Sequence, residues 1–194
     1  MVVESFIETI YDVLFKPMTA LSKLAEERPL GQAVVVLLIS LIIPALGAYF
    51  VFSSAGFEKL RNFILITQTI GYFLLWFLGA AILHLIAEIY GGKGTVIGLL
   101  VTTGFANLPH LLAVPFLVGT IFIQSSVMNG LVALVSLVIF CWTLTLNVIA
   151  LKEVYKISWA KAVLVLITPS MVIIALLIVF VILSLAAVLP ERLL

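Results

Sequence analysis

Residues 159–189 read WAKAVLVLITPSMVIIALLIVFVILSLAAVL, with Lys161 near the start and no further charge to the end of the run. A bilayer hydrocarbon core of about 30 Å takes roughly 20 apolar residues of helix to cross. At 1.5 Å per residue this run alone makes about 46 Å of helix. Its first part, Trp159 to Ile167, is therefore expected partly at the interface, with Pro169 marking the bend into the membrane. Working back along the chain, four more runs meet the length: Leu30–Phe52, Phe63–Ala87, Thr95–Ile123 and Val127–Leu151. Backbone groups in lipid must be bonded internally, which selects helices over strands here. The reading is an all-α fold, a polytopic membrane bundle of five transmembrane helices over residues 30–194. Amphipathic interfacial helices over residues 1–29 precede it.

Composition agrees and narrows the function. Of the 194 residues 64% are hydrophobic and 10% charged, with mean hydropathy +1.37. No segment between the apolar runs is long enough for a separate soluble enzyme domain. A net charge of +1 argues against nucleic acid, whose binding uses a basic face. Cys141 is the only cysteine, so a disulfide framework and a cysteine zinc site are both excluded. A cleavable signal peptide opens on positive charge. Here Glu4, Glu8 and Asp12 come first, and insertion is left to the first apolar run.

Val3, Ile7, Ile10 and Leu14 recur at helical spacing, with the three acids on another face. That predicts an amphipathic helix over residues 2–15, ended at Lys16-Pro17 because the residue before proline avoids the α region. A second short helix is expected from Pro17, turning Met18, Leu21 and Leu24 inward. Both would lie on the interface or roof the bundle, a docking face for a soluble partner being the alternative. Pro44 predicts a kink in the first membrane helix, and Ser53-Ser54-Ala55-Gly56 and Gln124-Ser125-Ser126 predict turns. Gly91-Gly92 should stop the second membrane helix, and Pro109 and Pro115 should kink or break the third. Lysine and arginine mark the cytoplasmic side. One side collects Lys16, Lys23, Arg28, Lys93, Lys152, Lys156 and Lys161, the other only Lys59, Arg61 and Arg192. The amino terminus is expected inside and the carboxyl terminus outside.

Three groups of residues stand out. Gly91, Gly92 and Lys93 form a cytoplasmic hairpin rather than a phosphate loop, because Ala87 and Gly94 occupy positions where the Walker pattern has glycine and Ser or Thr. Gly94, Gly98, Thr102 and Ala106 repeat every four residues, a small-residue stripe for close helix packing. It is expected to join the second and third membrane helices, with a dimer seam as the alternative. His84, Glu88, Asn107 and His110 are polar residues within or at the edge of the apolar runs, and such residues face the bundle interior and find partners. The packing of the stripe would bring His84 toward Asn107 or His110. Pro109 should free a carbonyl near Phe105 for a histidine or asparagine. The readings open for this cluster are interhelical polar packing, a proton relay and a lipid-headgroup cleft. Two histidines and one carboxylate are too few ligands for a metal, and no cofactor is expected. Asn147 reads as an interhelical hydrogen-bonding residue. No Ser-His-Asp set, paired catalytic carboxylates or HExxH motif occurs.

Leu83-His84-Leu85-Ile86-Ala87, the Gly91-Gly92-Lys93-Gly94 hairpin and Gly104-Phe105-Ala106-Asn107-Leu108-Pro109 occur in an order that resembles the Yip family of five-helix, Rab/Ypt-interacting membrane proteins. Trp142-Thr143-Leu144 and Tyr155-Lys156-Ile157-Ser158-Trp159-Ala160-Lys161-Ala162 extend the resemblance. Phe15-Lys16-Pro17 and Leu24-Ala25-Glu26-Glu27-Arg28-Pro29 resemble short prokaryotic members. The resemblance implies a cytoplasmic amino terminus and, in eukaryotic members, early secretory trafficking with binding of prenylated small GTPases. Small-GTPase binding is not expected of this chain, which lacks the long amino-terminal region those members carry. A multi-pass protein of a prokaryotic cytoplasmic membrane is the expectation. Its partners would be the lipid bilayer and either another membrane protein or a second copy in a homo-oligomer. Three functions compete: a non-enzymatic organiser or adaptor, favoured by the small loops and missing catalytic sets; a small transporter, channel or lipid-moving protein using a polar cleft between the second and third membrane helices; and an intramembrane enzyme, for which no nucleophile can be named.

Overall fold

In the computed structural model the chain is described over residues 2–53, 58–123 and 125–188. Among these residues there are eight α-helices, one 3-10 segment and no strand. In chain order they are α1 (Val2–Phe15), α2 (Pro17–Glu27), α3 (Leu30–Ser53), α4 (Glu58–Ile89) and α5 (Val96–Phe105), then the 3-10 segment (Leu108–Ala113), α6 (Val114–Phe122), α7 (Ser126–Tyr155) and α8 (Trp159–Val188). Among the described residues four stretches are long and apolar enough to cross a membrane: Ile66–Ile89, Val96–Thr120, Ser126–Tyr155 and Trp159–Leu185. α3 adds the shorter apolar stretch Leu30–Ile43. Ser54, Ala55, Gly56, Gln124, Arg192 and the side chains of Val3, Glu4, Pro44, Lys59 and Arg61 lie outside the described part, and with them the kink expected at Pro44.

The third apolar run is broken, for a local reason. Proline lacks an N–H, so it is tolerated in the first turn of a helical segment and disruptive further in. Pro109 opens the 3-10 segment and Pro115 opens α6. α5 ends one turn earlier, its Ala106 N–H closing on the Thr102 carbonyl at 2.9 Å. α8, in contrast, runs through Pro169 without interruption.

α5 is the axis of the bundle. Every residue from Gly98 to Pro109 is buried, and α2, α3, α4 and α7 all pack on it. One core joins Val13, Leu21, Leu24, Val36, Phe105, Leu146 and Ile149, with Phe6, Ile10 and Leu14 against its edge. A second joins Ala80, Ala87, Leu99, Leu151, Tyr155, Ala162 and Val165. The short amino-terminal helices are thus built into the bundle, α2 lying directly against α5 and α7. The buried face of α1 differs from the expected one. Val13 is fully buried while Ile7 is 61% exposed, because two apolar series share this helix and the Phe6–Ile10–Val13 series meets the core. Ile7, Tyr11 and Phe15 form an outward stripe, with the Tyr11 and Phe15 rings 4.6 Å apart.

α8 belongs to the bundle only in its first turns. Ala162 and Val165 are fully buried, whereas every residue from Met171 to Leu185 is exposed. Lys161 fastens the packed end by donating from Nζ to the Tyr90 carbonyl at 2.9 Å.

Candidate functional site

The hairpin is shaped around one aromatic side chain. Gly91 adopts φ 85°, which glycine reaches without strain, and Gly92 N–H returns to the Ala87 carbonyl at 2.9 Å. A Cβ on Gly92 would stand 2.8 Å from Tyr155 Cβ, and one on Gly94 would stand 2.6 Å from the Val154 carbonyl oxygen and 2.7 Å from Tyr155 Cδ1. The Lys93 N–H donates to the Tyr155 carbonyl at 3.3 Å. Residues 92–94 therefore lie flush on the end of α7, and Tyr155 is sealed beneath them with 1% exposure.

From below, Tyr155 is met by His84. Its hydroxyl lies 2.7 Å from His84 Nδ1, and His84 Nε2 lies 3.5 Å from Glu88 Oε1. With neutral histidine the phenol donates to Nδ1 and the Nε2–H faces the carboxylate. The four polar residues anticipated as one cluster therefore separate into two groups. His84 and Glu88 join Tyr155, while Asn107 and His110 belong to the break in the third run, where His110 Nδ1 lies 3.2 Å from the Asn107 carbonyl. The Asn107 side chain satisfies the Thr103 carbonyl at 2.8 Å, one helical turn back, in place of the Phe105 carbonyl.

The small-residue stripe also has other partners than expected. Gly98 has the Ala25 carbonyl and Val154 Cγ1 at 3.4 Å from where its Cβ would be, and Gly94 has Val154 and Tyr155. Thr102 and Ala106 are fully buried, Thr102 donating to the Gly98 carbonyl at 2.9 Å. The stripe thus seats α2 and α7. α4 packs on a different side of α5, where Trp76 Nε1 donates to Thr103 Oγ1 at 3.1 Å and the Tyr72 hydroxyl donates to Asn107 Oδ1 at 2.5 Å. A helix surrounded on all sides presents several packable faces, and its own periodicity does not say which neighbour takes which.

α4 and α7 both lie on α5 but barely meet each other. The gap between them is a groove of ≈ 260 Å³ lined by Tyr72, Trp76, Gly79, Leu83, Thr103, Asn107 and Asn147, among others. All its lining residues are uncharged. Trp76 and Leu83 also pack against the second core, to which α8 contributes Ala162 and Val165. No α8 residue lines the groove itself. In the sequence Asn147 stands alone and Asn107 belongs to a cluster with His84, Glu88 and His110; Tyr155 enters only within the resembling stretch of residues 155–162, and Tyr72 and Trp76 sit in apolar runs as ordinary aromatic residues. Among the described residues no three His, Cys, Asp or Glu side chains are grouped to hold a metal.

No curated protein and no solved structure matches the chain. A family model, the Yip1 domain, matches residues 11–182, a span that includes α2 to α7 whole and both cores. The resemblance carried by the Gly91–Gly94 hairpin, Tyr155 and the Asn107-Leu108-Pro109 break is thereby a family relationship: the chain belongs to the Yip1 domain family.

Proposed function

We propose that this membrane protein of Yip type is a non-enzymatic organiser or adaptor that gathers partners within the bilayer. It crosses the membrane five times, α3 being the first span, with its amino terminus in the cytoplasm of a prokaryotic cell and its carboxyl terminus outside. The observation that carries this reading is α8 beyond Pro169, which is exposed around its whole circumference from Met171 to Leu185. Helices in lipid associate through close packing and interhelical hydrogen bonds. A long apolar helix held at one end on a rigid bundle offers a full surface to another membrane helix. The seven-to-three distribution of Lys and Arg supports the threading, and the outward Ile7–Tyr11–Phe15 stripe supports an interfacial α1.

The test uses the single native cysteine. In a Cys141→Ser background, cysteines introduced one at a time at Ile173, Ile174, Leu176, Leu177 and Phe180 are oxidised in native membranes. Crosslinks confined to one face, with the same partner or a second copy at each position of that face, are the expected result. Uniform failure to crosslink around α8 would refute the reading. Reporter fusions at residues 90–94 and after Leu194 test the threading, and a cytoplasmic signal from the second would overturn it.

A further inference from the structure

We propose that the groove between α4 and α7 binds a neutral, hydroxyl-bearing lipid of the diacylglycerol class. Asn107, Asn147 and Tyr72 hold its polar end while its acyl chains stay in the bilayer. This goes beyond the organiser reading and does not depend on what α8 meets.

Depth comes first. Tyr72 to Leu83 covers about 16 Å of α4, inside the membrane-crossing stretch Ile66–Ile89. Unpaired polar groups are costly at that depth, yet the groove has several with capacity to spare. The Asn107 amide donates one hydrogen to Thr103 and the Asn147 amide donates one to the Thr143 carbonyl at 2.8 Å. Each amide carries two donors, so one N–H on each has no partner among the described residues, and neither has the Asn147 Oδ1 acceptor. The Tyr72 oxygen, already donating to Asn107, can still accept. An occupant that supplies both a donor and acceptors is therefore favoured, and a purely apolar chain would leave these groups bare.

Charge selects further. No cation lines the groove, so a phosphate headgroup would be buried without a counter-ion, at a cost of several kcal/mol (order of magnitude). A glycerol hydroxyl and two ester carbonyls match the free donors and acceptors without that cost. The volume, ≈ 260 Å³, suits a glycerol diester end but not whole acyl chains. Those chains leave through the side of the groove at Leu75, which is 71% exposed.

Gly79 provides a block. It lines the groove, and a Cβ there would meet no atom within 4 Å, so the side chain of Gly79→Leu starts in open space and takes up groove volume. The experiment uses the full chain in phosphatidylcholine nanodiscs with a diacylglycerol probe carrying a photoreactive acyl chain. Labelling should map to peptides of α4 and α7. Unlabelled diacylglycerol should compete it away, and phosphatidic acid with the same acyl chains should not. Gly79→Leu and, independently, Asn147→Leu should each cut labelling about tenfold, the factor equivalent to about 1.4 kcal/mol. Ile82→Val, on the exposed side of α4, should leave labelling unchanged. Equal competition by phosphatidic acid would overturn the proposal. So would a Gly79→Leu protein that melts like the parent and labels undiminished, or an absence of labelling in the parent protein.

Discussion

The fit of the hairpin on Tyr155 can be tested with one small substitution made in two places. In Gly94→Ala the new Cβ would stand 2.6 Å from the Val154 carbonyl oxygen, where real Cβ contacts stay above 3.0 Å. The backbone of residues 92–94 or the end of α7 must then open by roughly 0.4 Å or more, the difference between those two distances. Neither obstacle yields easily, since one is backbone and the other is the Tyr155 ring, held by His84 at its hydroxyl. Overpacking of this kind costs about 1–3 kcal/mol, and a backbone obstacle places Gly94→Ala near the upper end. Gly79→Ala is the same chemical change within α4, into open space. It should stabilise by up to about 1 kcal/mol through helix propensity. The two variants should therefore differ by about 3–4 kcal/mol. At roughly 2–4 °C per kcal/mol for a chain of this size, their melting temperatures should separate by about 6–16 °C. Thermal denaturation followed by size-exclusion in detergent, repeated in nanodiscs, reads this directly. Melting temperatures within about 2 °C of each other, well below that separation, would refute the close fit. In a Tyr155→Ala background part of the Gly94→Ala penalty should disappear, because the ring has gone and only the Val154 carbonyl remains.

His84→Ala strands the hydroxyl of buried Tyr155 and Tyr155→Phe strands the partly buried His84 ring; each should cost about 1–3 kcal/mol, and the double variant should cost less than their sum. Additive losses in that cycle would show that the 2.7 Å contact contributes no coupling. Thr103→Val removes the acceptor of Trp76 Nε1 and should lower stability by about 1–2 kcal/mol, measured by the same melting assay. Val13→Asp places a carboxylate at a fully buried site and should abolish the monodisperse protein, whereas Ile7→Ser should melt within about 0.5 kcal/mol of the parent. Failure of Ile7→Ser to fold would mean that the outward stripe of α1 is part of the core.

What the sequence made legible follows the range of each signal. Apolar length and the proline breaks act within a turn or two, so four of the five expected membrane-crossing stretches and the interruption at Pro109 were readable from local chemistry. Of the expected Val3–Ile7–Ile10–Leu14 face of α1, Ile10 and Leu14 meet the core and Ile7 does not, because the Phe6–Ile10–Val13 series is apolar at the same helical spacing and only packing chooses between them. His84 was singled out because a histidine in an apolar run is conspicuous. Its partner Tyr155, 71 residues away, is not, since tyrosine fits the end of any membrane helix. The groove was half visible, as two asparagines on separate helices. Their convergence depends on α4 and α7 flanking α5 and meeting only near His84 and Tyr155, a relation between three helices that no single periodicity carries.

The Tyr155 assembly also sets how α4 can move. At this end α4 is fastened to α7 through His84 and through the glycine turn pressed onto the tyrosine ring, contacts that oppose sliding more than rotation. His84 becomes a pivot, and Tyr72 sits about 18 Å along the lever arm. A swing of about 5° would carry the Tyr72 hydroxyl about 1.6 Å at that arm length. That is enough to part it from Asn107, 2.5 Å away at rest. In such a swing the Tyr72–Asn107 hydrogen bond would be the latch of a hinged clip, with the Trp76–Thr103 bond a second catch nearer the pivot.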